Sequence, residues 1–176
     1  HGDAWTLPEG SGADNANGPG ETDGPGGSAL LLAAGSGMAT LPAVAERFHG
    51  AGYRVHAAIG VRSGISGSLV LATTGRWASV DVVPDQGQEG RVLQRIASAV
   101  SDRAAAGHPV RRAWVCGPQR FMDSAIHALR AEGLPAGKIA LSLEKMMRCG
   151  VGMCGECHNN GILTCQFGTV ISAQEL

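Results

Sequence analysis

The stretch SALLLAAGSGMATLP, residues 28–42, decides how this chain is to be read. Seven apolar or small residues without alternation, Ser28 to Ala34, suit a parallel strand covered on both faces. A half-solvated strand would alternate polar and apolar positions. Gly35 ends the run, Gly37 follows one residue later, and LPAVAERFHGAG then carries the apolar spacing of a helix closed by glycine. A strand, a glycine turn and a helix in that order form the opening of a βαβ unit. The turn leaves backbone N–H groups open at the positive end of the helix, where a pyrophosphate can sit. The third glycine of a dinucleotide fingerprint is missing, since Thr40 stands in its place.

The same alternation continues outward. YRVHAAIG (53–60), ASVDVV (78–83), RRAWVCG (111–117) and KIALSLE (138–144) read as further strands. EGRVLQRIASAVSDRAAAG, with Val92, Ile96 and Val100 on one face, and QRFMDSAIHALRAEG (119–133) read as helices. Residues 66–76 are β by composition, yet they lie where a crossover is needed. The expectation is an α/β fold, a doubly wound parallel sheet of about five strands, followed by a small cysteine-rich C-terminal domain. WVCGP (114–118) is a second strand-ending turn, so Gly35 to Thr40 and Cys116 to Pro118 should meet at the carboxyl edge of the sheet. Cys116 by itself is most simply a small buried residue.

Residues 1–27 differ in kind. They hold eight glycines, three prolines and five acids without a Lys or Arg, too little apolar surface to offset ordering entropy. The expected division is 1–27 as a linker, 28–144 as a nucleotide-binding domain and 145–176 as a cluster domain. With 176 residues, 44% of them hydrophobic, and a formal charge of −1, the chain can build a core. It offers no electrostatic reason to bind nucleic acid. No apolar run reaches the ~18 residues of a membrane span, no secretory signal opens the chain, and the cysteines do not resemble a secreted disulfide framework. A cytoplasmic setting is expected.

Four of the five cysteines fall in CGVGMCGECHNNGILTC, residues 149–165, spaced C-x4-C-x2-C-x7-C as Cys149, Cys154, Cys157 and Cys165. Structural zinc usually takes two C-x2-C knuckles, and here there is one. A Rieske centre needs two histidines, and His158 is the only one in the segment. The plant-type [2Fe–2S] spacing begins C-x4-C-x2-C and matches. Gly150, Gly152, Gly155 and Gly161 allow the tight turns such a loop requires and let amides approach sulfur. Zinc remains the alternative ligand.

Three motifs in order resemble the ferredoxin–NADP reductase superfamily. GSGMATLPAVA is similar to its pyridine-nucleotide loop, CGPQRFM (116–122) to the turn beside the nicotinamide, and SLEKMMRCGVGMCGEC to the [2Fe–2S] signature of dihydroorotate dehydrogenase electron-transfer subunits. PDQGQEGRV (84–92) resembles the segment before a crossover helix, and the short final gap before Cys165 is closer to hydrogenase and sulfite reductase gamma subunits. The resemblance implies NAD(H) or NADP(H) held by Gly35, Ser36, Gly37, Met38, Ala39, Thr40, Cys116, Gly117, Pro118 and Met122, with the four clustered cysteines as iron ligands. It implies a catalytic partner subunit of the dihydroorotate dehydrogenase or hydrogenase type. It also implies FAD from a β-barrel domain, of which HGDAWTLP (1–8) is similar to the closing strand, so the flavin would come from a missing segment or a partner. No residue is expected to be catalytic in its own right. The competing expectations are a zinc-stabilised nucleotide or regulatory module without redox activity, and a cluster-bearing remnant that no longer binds nucleotide.

Overall fold

A computed structural model of the chain describes residues 26–61, 77–84 and 90–176. Most of the expected segment 1–27 (residues 1–25), the stretch 66–76 and most of the segment 84–92 lie outside these. Strand β1, Ser28–Ala34, leads through a 3-10 turn, Gly35–Thr40, into α1, Leu41–Gly50. Next come β2, Arg54–Val61, β3, Ser79–Pro84, and α2, Gly90–Ala105. Strand β4, Val110–Cys116, helix α3, Gln119–Ala131, and β5, Ile139–Ser142, complete the α/β part. The cysteine-rich segment adds a small hairpin, β6 (His158–Asn159) with β7 (Ile162–Leu163), one helical turn, α4 (Thr164–Phe167), and β8, Val170–Ser172.

The main sheet has the order β3-β2-β1-β4-β5-β8. Its first five strands pair in parallel. The sixth, β8, returns from beyond the cysteines and pairs antiparallel with β5, Leu141 opposite Ile171. Five strands were expected. The sixth is three residues long at a sheet edge, too short to carry a period.

The central place of β1 explains its unbroken apolar run. Leu30 and Leu32 face α2 and α3, packing with Ile96, Phe121 and Leu129. Ala29, Leu31 and Ala33 face α1 on the other side, with Leu41, Val44 and Phe48. Each of these leucines is at most 2% exposed, worth about 1.5–3 kcal/mol apiece in removed apolar surface. Helix α1 stops as its sequence indicates. Tyr53 N–H reaches back to Phe48 O and Gly52 N–H to His49 O, with Gly52 at φ +86°, a left-handed position that glycine fills without a Cβ penalty. Phe48 and Tyr53 then meet edge to face, ring centroids 5.5 Å apart.

At the amino-terminal edge of the sheet sits a polar knot. His56 is 9% exposed. Its Nδ1 lies 2.8 Å from Ser79 Oγ and 3.0 Å from Arg103 Nη2, and its Nε2 lies 3.3 Å from Ser28 Oγ. Burial first, then the Arg103 and Arg54 charges, pull its pKa down to about 4, with Asp81 opposing. This edge is opposite the one where a sheet of this kind takes ligands.

Candidate nucleotide cleft and cysteine centre

Strand order reverses between β1 and β4, because β2 and β3 run outward on one side and β5 on the other. Ligands of doubly wound sheets gather outside the carboxyl ends at such a point. A cleft of about 400 Å³ opens there, lined by residues that include Gly35, Ser36, Gly117, Pro118 and Met122. Five of the expected nucleotide residues therefore border one space. Gly60 at the end of β2, Gln119, Glu144 and Lys145 also border it, and sequence reading did not single these out. A signal existed for the last two, which stand two and three residues beyond the end of β5 and so occupy the carboxyl edge of a parallel strand.

The remaining expected residues stand differently. Gly37 is buried, and a Cβ on it would come within 2.6 Å of Cys116 O and 2.9 Å of Cys116 Sγ. The space that its missing side chain leaves is taken by β4, so this glycine seats the 3-10 turn on the central strand. Thr40 turns its hydroxyl back to Gly37 O at 2.9 Å. Met38 packs on the α1 side of the core, and neither it nor Ala39 borders the cleft. Cys116 is fully buried behind the cleft. Burial pushes its thiol pKa up, against hydrogen bonds with Ser142 and Thr40. Glu144 ties the two turns together: Ser36 Oγ donates to one carboxylate oxygen at 3.2 Å, and the Cys116 thiol faces the other at 4.0 Å.

From Glu144 only four residues lead to Cys149. The four clustered cysteines fall into two pairs. Cys154 hydrogen-bonds Cys149, and the backbone amides of Cys154, Val151 and Met153 converge on the Cys149 sulfur, those of Met153 and Cys154 at 3.3 and 3.4 Å. This convergence, the Cys154 amide first, brings the Cys149 pKa down to about 6. In the second pair the Cys165 amide and then its side chain lower Cys157. Cys165 is in turn raised, first by its hydrogen bond with Cys157, while the Gly152 amide works in the opposite direction. Among the described residues no three His, Cys, Asp or Glu side chains close on one metal position.

Local sequence explains the loop. Gly150, Gly152 and Gly155 have φ of +70°, +81° and +74°, values at which a side chain would strain the backbone. The hairpin that follows turns on Asn160 and Gly161, both at positive φ, as a two-residue primed turn requires. Thr164 fastens it by donating from Oγ1 and N–H to Cys157 O, at 3.1 and 3.2 Å. Asn159 beside it is 6% exposed, and its amide nitrogen is buried without a partner among the described residues. His158 accepts the Gly161 N–H at 3.1 Å and takes no part in the thiol pairs.

No family model matches the chain. Comparison with known proteins finds a probable dihydroorotate dehydrogenase B (NAD(+)) electron transfer subunit of Methanothermobacter thermautotrophicus, 30% identical over 152 residues. The match spans 84% of this chain and 53% of that protein. The like-named protein of Archaeoglobus fulgidus is 28% identical over 152 residues, with 84% of this chain and 61% of that one covered. The gamma subunit of sulfhydrogenase 2 from Pyrococcus furiosus matches 45 residues at 47% identity, 26% of this chain and 16% of its own. Among solved structures, an NADH-dependent reduced ferredoxin–NADP oxidoreductase superposes with a TM-score of 0.65 at 26% identity, over 85% of this chain and 53% of that one. The chain thus spans between half and two thirds of the length of the first two relatives. By these likenesses the chain is similar, over part of their length, to dihydroorotate dehydrogenase electron-transfer subunits and to a hydrogenase gamma subunit, and its fold is that of a ferredoxin–NADP oxidoreductase portion.

Proposed function

We propose that this chain is the nucleotide-binding and cluster-bearing portion of an electron-transfer subunit. It would link NAD(H) or NADP(H) at the cleft, through FAD held by a segment outside residues 28–176 or by another polypeptide, to a [2Fe–2S] cluster. From there electrons would pass to a catalytic partner of the dihydroorotate dehydrogenase or hydrogenase type. The observation that carries this is the pairing of the four thiols. A [2Fe–2S] cluster has two irons, each needing two protein thiolates, and Cys149 with Cys154 and Cys157 with Cys165 supply two such pairs. A tetrahedral zinc site needs all four around one point.

The rest of the segment suits the same use. Amides directed at the Cys149 sulfur offset negative charge held by thiolates. Met146, Met147, Val151, Met153 and Phe167 are exposed apolar residues in and beside the cysteine segment, where a protein partner would cover them. At the cleft, Gly35 leaves backbone open to a dinucleotide, since nothing lies within 4 Å of a Cβ there, and Lys145 offers a cation to its phosphates. When bound, a cluster takes one electron at a time and a nicotinamide gives two as a hydride, so a flavin must stand between them.

Elemental analysis tests the central point. About two irons and two acid-labile sulfides per chain are expected, the stoichiometry of the cluster; one zinc and no iron would refute it. Calorimetry with NAD(H) and NADP(H) tests the cleft, and absence of saturable binding even with the flavin domain restored would leave a cluster-bearing remnant. In anaerobic mixing without flavin, NADH should leave the chain oxidised while dithionite bleaches it, and the flavin-bearing domain should restore bleaching by NADH. Rapid bleaching by NADH in a flavin-free preparation would overturn the division of labour.

A further inference from the structure

Two charged side chains stand among the described residues that line the cleft, Glu144 and Lys145. A cation suits a place where phosphates bind, whereas a carboxylate there works against them. Glu144 is held in position all the same. Ser36 Oγ donates to its Oε2 at 3.2 Å, and its Oε1 faces the Cys116 thiol at 4.0 Å. Ser36 lies on the turn after β1 and Cys116 ends β4, so the carboxylate is fixed from both sides of the point where strand order reverses.

Topology decides which half of a dinucleotide meets it. In doubly wound sheets the pyrophosphate sits at the first strand–helix turn, and the adenosine ribose lies at the end of the next strand. In this chain those places are Gly35–Thr40 and Gly60. The nicotinamide half therefore runs the other way, over the ends of β4 and β5, toward Gly117, Pro118 and Glu144. Its ring is the one part of the cofactor whose charge changes in the reaction. The reduced ring is neutral. When its C4–H bond breaks, the hydride carries both electrons to the flavin and leaves the ring with a positive charge.

We propose that Glu144 is a specificity-determining residue that reads the oxidation state of the nicotinamide, its carboxylate favouring the cationic, oxidised ring over the neutral, reduced one. This deepens the nucleotide reading above and rests on it. Both redox forms carry the same phosphates, so repulsion by Glu144 and attraction by Lys145 at the phosphates cancel in the ratio of the two dissociation constants. The charge of the ring does not cancel. Glu144 is exposed, so its attraction acts through a dielectric near that of water, where an opposite charge about 5 Å away gains roughly fourfold in affinity. A fourfold preference lowers the potential of the bound couple by about 18 mV, at about 30 mV per tenfold for two electrons. The bound reduced nucleotide is then the stronger hydride donor.

The test is calorimetric titration of the full chain with NAD+ and NADH, and with the 2′-phosphorylated pair. Glu144→Gln keeps the shape of the side chain and an acceptor for Ser36 but removes the charge. It should move the ratio of dissociation constants roughly fourfold toward the reduced form, whichever way the two affinities change separately. Glu144→Asp, which keeps the charge, should move it less. Thermal melts establish that each variant is folded. If Glu144→Gln does not fold, added salt on the wild type is the second probe and should move its ratio in the same direction by screening. An unchanged ratio in a folded Glu144→Gln, or a salt-independent ratio in the wild type, would overturn the proposal while leaving nucleotide binding intact. Absence of saturable binding of all four nucleotides to the wild type, with the flavin domain restored, would instead remove the reading on which it stands, so the two failures are told apart.

Discussion

Gly37→Ala should destabilise the fold, although its position in the glycine turn suggests an effect on ligand binding. The added Cβ would stand 2.6 Å from Cys116 O and 2.7 Å from Cys116 C, where ordinary contact begins at 3.4 Å. The turn must therefore move about 0.8 Å away from β4, or β4 must yield. Both partners are backbone in the middle of the sheet, so no side-chain rotation relieves the overlap. Overpacking of this kind costs roughly 1–3 kcal/mol, and the lower entropy of an unfolded alanine returns about 0.4–1 kcal/mol. A net loss of about 1–2 kcal/mol corresponds to a Tm lower by roughly 2–8 °C for a domain of this size. Gly35→Ala is the control, since nothing lies within 4 Å of a Cβ there and the cost is confined to its φ of +59°. Thermal melts followed by circular dichroism, alongside calorimetric titration with NAD(H), separate the two effects. A Gly37→Ala protein that melts with the wild type yet binds nucleotide far more weakly would refute the packing argument and return this glycine to the ligand.

Cys154→Ser should abolish iron retention, whereas Cys116→Ser, buried behind the cleft, should keep it, both read by iron analysis and the visible spectrum. His56 stays neutral in the fold because its pKa lies near 4, below the unfolded value of 6.5. Its contribution is therefore complete above about pH 6.5 and is lost as pH falls toward 4, about 2 kcal/mol of it between pH 7 and 5. Urea denaturation at those two pH values should show that loss, and a smaller one in His56→Gln; equal losses would mean that other groups govern the acid limb. Thr164→Val removes the donor to Cys157 O and, at about 1 kcal/mol for one such bond, should speed iron loss to a chelator without changing the number of irons initially bound.

Much of this architecture was legible because its signals are local. The unbroken apolar run Ser28–Ala34, the glycines closing the helices and the spacing of the cysteines each follow from a few neighbouring residues. What escaped depends on contacts made across the fold. Gly37 looked like a ligand glycine because its sequence neighbours are those of a phosphate loop, while the atoms that require it belong to Cys116, far along the chain. Glu144 bridging Ser36 and Cys116, and Gln166 spanning to Val151, are long side chains whose reach is set by tertiary packing. The strand Val170–Ser172 is defined by its partner β5 more than by its own three residues.

That returning strand gives the chain an assembly order. During synthesis the outer edge of β5 emerges unpaired, and its partner lies beyond all four clustered cysteines. Until residues 170–172 dock, Ile139–Ser142 presents open backbone groups to any neighbouring nascent chain, a known route to aggregation. Cys157 and Cys165 lie on the path between β5 and β8, and tying them together shortens the free loop whose closure seats the last strand. On the cluster reading proposed above, withholding iron should raise the share of aggregated chain as well as of unloaded protein, because the last strand then closes over a longer free loop.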